Sequence, residues 1–363
     1  MKQYLDAVRE ILERGTRKEN RTGVDTLSTF NINYEHDLWD GFPLLTTKKI
    51  NWAHIVLENL WFLSGSTDIS FLRHYGVKFW DAWANDEGQV PSAYGNFWRH
   101  FPVPGSETMY ATGDGTVGSL PIVIQEFNDQ IRWLIDEAKR NPMSRRLVVS
   151  AWAPGNAQTS KLPPCHAMFV CNVQNVPVPL KKGVDVYLKR DRTQLFRVEE
   201  VQNDVVRVRD MHDEPHAPVY RADEFDRADS KTWQRLCLHL TQRSCDIALG
   251  VPYNIAGYAF QLELLGWLTG IQPGLFAHTL VDAHAYTSKP DGSMAEYDHV
   301  PGLQLQLERE PRPLPQLSID SSIETLEDIE RLIRDRPPVE QLLELFKLEN
   351  YDPHPAIPFK VAV

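Results

Sequence analysis

Apolar residues at Tyr4, Leu5, Val8, Ile11 and Leu12 fall at helical spacing, so Met1 to Arg14 is expected to form a helix with one buried stripe. From Thr26 to Tyr34 the pattern partly alternates (Leu27, Phe30, Ile32, Tyr34), which predicts a strand. Trp52 to Leu63 is strongly apolar and carries one acid, Glu58; it predicts a helix. Ile122 to Lys139 predicts an amphipathic helix. Arg146 to Trp152 and Ala167 to Val173 predict buried strands, and Gln234 to Thr241 alternates on Leu236, Leu238 and Leu240. Ile255 to Gly270 is apolar nearly all round, the pattern of a core helix. Together these elements predict an α+β fold, a large mixed sheet with helices packed on one side.

Two stretches interrupt the pattern. Gly105 to Ser119 is rich in Gly, Thr and Ser and predicts a long surface loop, bounded here as 105–122. Gln174 to Trp233 opens with Val176-Pro177-Val178-Pro179 and runs through the short alternating stretches Val184 to Leu188, Leu195 to Val201 and Asp204 to Arg209. After Asp210 it turns charged and His-rich. It predicts a small β-hairpin or β-barrel module, 174–234, inserted into a body made of 1–173 and 235–363. The module is either a surface or dimer decoration or a contact site for another protein. No internal repeat is visible.

Composition adjusts this picture only slightly. A chain of 363 residues holds two or three domains of about 150 residues, or one large enzyme domain with insertions. Hydrophobic residues at 42% supply an ample core. Thirty-eight Lys and Arg against 49 Asp and Glu give a net charge of −11, a poor basis for binding nucleic acid but compatible with a local phosphate pocket. No apolar run approaches the roughly 20 residues of a membrane span, and the first residues lack a signal-peptide pattern. Four cysteines without CxxC spacing point to a reduced, cytoplasmic protein and to no metal site.

Five short segments carry candidate chemistry. Cys165, between Pro164 and His166 at a strand start, is either a nucleophile, more so beside a cation, or a small buried apolar residue. Gln242-Arg243-Ser244-Cys245-Asp246 is either a phosphate clamp with an acid beyond it or a salt-bridged strand end. Asn254 follows Gly250 and Pro252 near a helix start, as a base-reading amide or an N-cap. Asp282, His284 and Tyr286 share one strand face. Arg145 and Arg146 are adjacent cations before a buried strand.

Taken in order, the motifs are far more specific than any one of them. They are Arg21-Thr22-Gly23, the run Gly41 to Lys49, Glu58 to Leu63, Trp80-Asp81-Ala82-Trp83, Tyr94-Gly95, Ser144-Arg145-Arg146, Pro164-Cys165-His166, Gln242-Arg243-Ser244, Gly250 to Ala256, His284-Ala285-Tyr286, Arg309 to Pro315 and Tyr351 to Pro355. Over roughly residues 1–104, 123–173 and 235–363 the chain resembles the folate-dependent thymidylate synthase family.

The resemblance implies a covalent mechanism. Thiolate addition by Cys165 at C6 of uracil turns C5 into a nucleophile that attacks a one-carbon unit carried by 5,10-methylenetetrahydrofolate. It implies that Arg21, Arg243 and Ser244 bind the phosphate of dUMP, with Arg243 also favouring the thiolate. Arg145 and Arg146 are then contributed across an obligate homodimer formed sheet to sheet. Asn254 reads the base, His166 lines the nucleotide pocket, and His284 and Tyr286 hold the ribose. Glu58 and Tyr94 manage proton transfer. Lys48, Trp80, Trp83, Leu162, Asp246, Leu249, Gly250, Tyr253, Tyr286 and the tail Val361-Ala362-Val363 bind or cover the folate.

Three positions depart from the family pattern. Phe97 stands for the usual Gln, Ala153 for Asn and Gly257 for Ser. They signify either local repacking or altered chemistry after carbon transfer. In the related pyrimidine hydroxymethylases, water rather than hydride reaches the exocyclic methylene. The expected function is therefore dTMP synthesis, with formation of 5-hydroxymethyl-dUMP as the alternative. A degenerate, purely binding or RNA-regulatory member is disfavoured, because Cys165, Glu58, Asn254 and the phosphate-site residues are all retained.

Overall fold

Helix α1 (Lys2–Arg14) forms where the helical spacing places it and buries Tyr4, Leu5, Ala7, Val8 and Ile11. The protein is described from a computed structural model that covers residues 1–103, 105, 108–110, 122–124, 126–157, 160–177, 180–202, 205–211, 219–228 and 232–362. Two compact units emerge, Met1–Asn172 with Leu236–Val363, and Val173–Arg235.

The first unit is built on a seven-stranded mixed sheet. Its strands are β1 (Thr16–Lys18), β2 (Asp25–Asp37), β3 (Val148–Ser150), β4 (His166–Pro177), β5 (Thr232–Gln242), β6 (Cys245–Asp246) and β7 (Gln272–Thr287). The order is β1-β2-β7-β5-β4-β3, with β6 parallel to β7. Strands β2 and β7 pair antiparallel from Leu275 opposite Asp37 to Thr287 opposite Asp25. The short β6 sets Cys245 opposite Ala283 and Asp246 opposite His284. That register brings the Gln-Arg-Ser segment beside the His-Ala-Tyr segment.

Helix α2 (Trp52–Ser64) carries Glu58 and ends at Gly65, whose φ of 71° is the left-handed turn that glycine adopts without strain. Helix α3 is Tyr94–His100. The amphipathic helix starts later than its apolar pattern suggests: α4 is Gln130–Arg140, and residues 122–124 and 127–128 are strand. Asp129 fixes that start, because its carboxylate accepts from the Arg132 amide at 3.0 Å and from the buried Arg99 Nε at 2.9 Å. Helix α5 (Gly250–Thr269) is buried on most of its circumference, including Ile255, Tyr258, Phe260, Leu262, Leu264 and Leu265. It packs on β7 and α2. Truncating one of these leucines to Ala would cost about 2–5 kcal/mol. Among the described residues, no helix is long and apolar enough to cross a membrane.

The second unit contains a five-stranded antiparallel sheet in the order Val219–Arg221, Val205–Asp210, Asp191–Gln202, Asp185–Leu188, Phe225–Arg227. Val184, Val186, Leu188, Phe196, Val198, Val206, Val208 and Phe225 form its own small core. The expected loop at 105–122 lies mostly outside the described residues; within it, Thr108–Tyr110 pairs antiparallel with Ile122–Ile124.

Candidate active site

Cys165 immediately precedes β4. The Arg243 Nε donates to the Pro164 carbonyl at 2.9 Å, Nη2 donates to the Pro163 carbonyl at 2.7 Å, and the Arg243 amide donates to the Cys165 carbonyl at 2.8 Å. These bonds fix the guanidinium with Nη2 3.8 Å from the Cys165 Sγ. Its face lies over Trp152, 5.5 Å from the ring centre. Arg243 makes no ion pair among the described residues, so the salt-bridged strand end is discarded. The balance at the thiol differs from the simple expectation. Desolvation pushes the Cys165 thiol up, while Arg243, then Tyr94, Ser244 and Arg21, pull it back without overcoming burial.

The Tyr94 hydroxyl accepts from the Cys165 amide at 3.2 Å. Its ring stacks on His166 at 4.4 Å with an interplanar angle of 8°. His166 is buried and neutral, its pKa pushed down to about 3 by desolvation and only partly restored by Asn254. Around Tyr94 sits an aromatic wall of Trp61, Phe62 and Trp80. Trp80 Nε1 donates to Glu58 Oε1 at 2.8 Å. Desolvation raises the Glu58 carboxyl to about 7, and the Trp80 bond is the opposing influence. A carboxyl poised there can both give and take a proton near neutral pH.

Asn254 is not an N-cap. Leu249 occupies that position, and Asn254 lies inside α5. The amide is held from behind: Gln242 Nε2 donates to Asn254 Oδ1 at 2.9 Å, and Gln242 Oε1 meets His278 Nε2 at 3.0 Å. His278 Nδ1 in turn meets the Tyr34 hydroxyl at 2.7 Å. The chain of bonds runs across β5, β7 and β2. On β7, His284 Nδ1 meets the Asp282 carbonyl at 3.0 Å, and the His284 and Tyr286 rings stand edge to face at 5.5 Å. Tyr286 is pushed up to about 12 by desolvation first and then by Asp246, with Arg21 opposing. Arg21 is exposed, with its guanidinium 5.8 Å from the Trp83 ring centre.

A second group lies toward the C-terminus. Asp246 Oδ1 accepts from the Ala248 and Leu249 amides at 2.9 and 3.2 Å, which fixes the turn leading to Gly250. Lys48 is buried; its ammonium donates to the Ala248 carbonyl and sits 4.7 Å from the Phe359 ring centre. Desolvation pulls Lys48 down to about 8. His299 Nε2 meets the Lys360 carbonyl at 2.9 Å. The tail therefore reaches this side through Phe359 and Lys360; Val361 and Ala362 follow, and Val363 lies outside the described residues. Leu162 accepts from Ser92 Oγ at 2.9 Å through its carbonyl, and Tyr253 faces Phe79 across 6.5 Å. Arg145 and Arg146 are exposed, and their guanidiniums make no hydrogen bond or ion pair among the described residues. No cluster of His, Cys, Asp or Glu among the described residues is arranged to hold a metal ion.

The sequence profile of the family described as Thymidylate synthase matches residues 2–191 and 211–363. The chain belongs to the thymidylate synthase family. Members of this family transfer a one-carbon unit from methylenetetrahydrofolate to dUMP. The unmatched stretch, 192–210, is narrower than the inserted module read from composition and lies inside the second unit.

Three residues near the cysteine and the amide were not singled out by role from sequence. Trp152 under Arg243, and His278 and Tyr34 behind Gln242, act through contacts between segments distant in the chain. For His278 a signal existed, since it shares period-two spacing with His284 and Tyr286. Two of the departures from the thymidylate synthase pattern are filled by neighbours. Phe97 is 2% exposed and packs near Phe101. At Gly257 an added Cβ would stand 3.1 Å from Asn59 Nδ2, so the Asn59 amide closes on the space.

Proposed function

We propose that this chain makes dTMP from dUMP and 5,10-methylenetetrahydrofolate. Cys165 adds to C6 of the uracil, and Arg243 steadies the thiolate as dUMP displaces water from the site. Arg21, Arg243 and Ser244 hold the phosphate, joined by Arg145 and Arg146 of a second copy. Asn254, oriented by Gln242, pairs with the base, with His166 beneath; His284 and Tyr286 hold the ribose hydroxyl. Glu58 and Tyr94 move protons at C4 and C5. The folate fits beside Trp80, Trp83, Leu162, Asp246, Leu249, Gly250, Tyr253 and Tyr286. At Gly250 a Cβ would meet nothing nearer than Asn254 Oδ1 at 3.5 Å, which leaves an open ledge for a planar ring. Lys48 and the tail residues Val361 and Ala362 close that side. When bound, the folate supplies the carbon and the hydride.

The observation that carries dTMP over the hydroxymethyl product is the buried aromatic wall at Glu58. Trp80 is 8% exposed, bonds Glu58, and packs with Trp61 and Tyr94. Such a wall keeps water from the transferred carbon. Formation of 5-hydroxymethyl-dUMP is retained as the second reading because Phe97, Ala153 and Gly257 remove two amides and a hydroxyl from the family pattern. Product analysis decides. dTMP and dihydrofolate in equal amounts are expected, whereas 5-hydroxymethyl-dUMP with tetrahydrofolate overturns the proposal. Cys165→Ser is expected to bind dUMP and lose nearly all turnover. Substantial turnover by that variant moves the nucleophile elsewhere.

A further inference from the structure

Strand β8 (Gln316–Ile319), paired antiparallel with β9 (Phe346–Glu349), and the C-terminal half of α5 frame a cleft of about 570 Å³, lined by Glu263, Trp267, Ile271, Pro273, Leu317 and Ile319 among others. Glu263 and Trp267 are four residues apart and so share one helix face. Trp267 is 45% exposed, yet its indole is fixed, with Nε1 donating to the Ile323 carbonyl at 2.5 Å. The cleft floor is tight: a Cβ on Gly266 would stand 2.8 Å from the Ile271 carbonyl and 3.0 Å from Pro273 Cγ. Glu263 is half-buried and has no hydrogen bond or ion pair among the described residues. Desolvation alone pushes its carboxyl up to about 7.

A half-buried carboxylate without a partner is costly, and a cation that enters beside it removes that cost. The exposed indole face attracts a cation from the second side. Ile271, Pro273, Leu317 and Ile319 offer apolar walls, and the volume lies in the range of small-ligand sites. One carboxylate matches one charge, which disfavours a diamine. We propose that this cleft binds a small organic monocation, a protonated amine or guanidinium on a compact apolar body, with its charge between Glu263 and Trp267. The proposal is independent of the nucleotide chemistry at Cys165.

The test uses the full chain and 2-phenylethylamine, titrated by calorimetry at pH 8, with 2-phenylethanol as the neutral isostere. Saturable one-to-one binding of the amine is expected, at least about tenfold tighter than the alcohol. Glu263→Gln is expected to abolish that preference while leaving turnover of dUMP unchanged, which shows that the variant is folded. Trp267→Leu keeps the carboxylate and is expected to reduce the preference about threefold or more. Equal affinity for amine and alcohol, no binding up to roughly millimolar amine, or an undiminished preference in both variants overturns the proposal.

Discussion

At Glu58, desolvation and a single hydrogen bond oppose one another, and the outcome is a carboxyl near pH 7. The Trp80 N–H stabilises the charged form, so removing it must raise the pKa further. If Glu58 handles the proton, the pH profile of kcat/KM breaks near 7 in the wild type, Trp80→Phe moves that break upward, and Glu58→Gln removes it with a loss of about 10²–10⁴ in rate. A break that stays in place in Trp80→Phe assigns it to another group. Asn254 permits a second test at this scale. Gln242 fixes its Oδ1, and an amide presents both acceptor and donor to uracil. Asn254→Asp is expected to shift relative kcat/KM from dUMP toward dCMP by about 10–100-fold, because mispaired buried polar groups cost about 1–3 kcal/mol each. Unchanged preference shows that Asn254 does not read the base. Cys165, Glu58 and Asn254 could be singled out as candidates because each sits in a short, ordered motif. The Gln242–His278–Tyr34 chain was not, since hydrogen bonds between strands leave no contiguous pattern. Nor could motif order weigh the competing influences on the Cys165 thiol, where desolvation exceeds the pull of Arg243.

Among the elements, helix α5 and strand β5 form close to where their apolar patterns place them, whereas α4 starts eight residues later than its pattern suggested. The apolar residues before Gln130 belong to short strands, and Asp129, tied to Arg99, sets the helix start. Composition marked the change of character between β4 and β5, but the five-strand order of the second unit depends on pairings that no local signal encodes. That unit has its own apolar core, and β4 and β5 are neighbours in the main sheet. We propose that it is dispensable for catalysis. Replacing residues 174–233 with a short Gly-containing turn is expected to leave a folded, active enzyme, since turns tolerate changes of length at low entropic cost. A variant that is folded and of wild-type assembly but inactive places part of the site in the module.

Among the described residues of a chain of net charge −11, two adjacent arginines stand without partners. Arg145 and Arg146 make no ion pair among the described residues, although Arg99 and Arg132 are each paired to Asp129 and Glu330. On the sheet strands, Phe30 is 78% exposed and Met168 36% exposed, apolar side chains that a dimer formed through the sheet would cover. We propose a dimer formed through the sheet in which each copy lends its arginines to the other copy's phosphate. Mixing inactive variants tests this directly. Cys165→Ser lacks the nucleophile but still donates arginines; Arg145→Ala with Arg146→Ala keeps the nucleophile but donates none. Equal, freely exchanging mixtures place the two variants together in about half the dimers, and each mixed dimer contains one intact site of two. Activity is therefore expected to recover to about a quarter of the wild-type value per site. If the arginines act on their own chain's phosphate, every site in the mixed dimer lacks either the thiol or the cations, and no recovery appears.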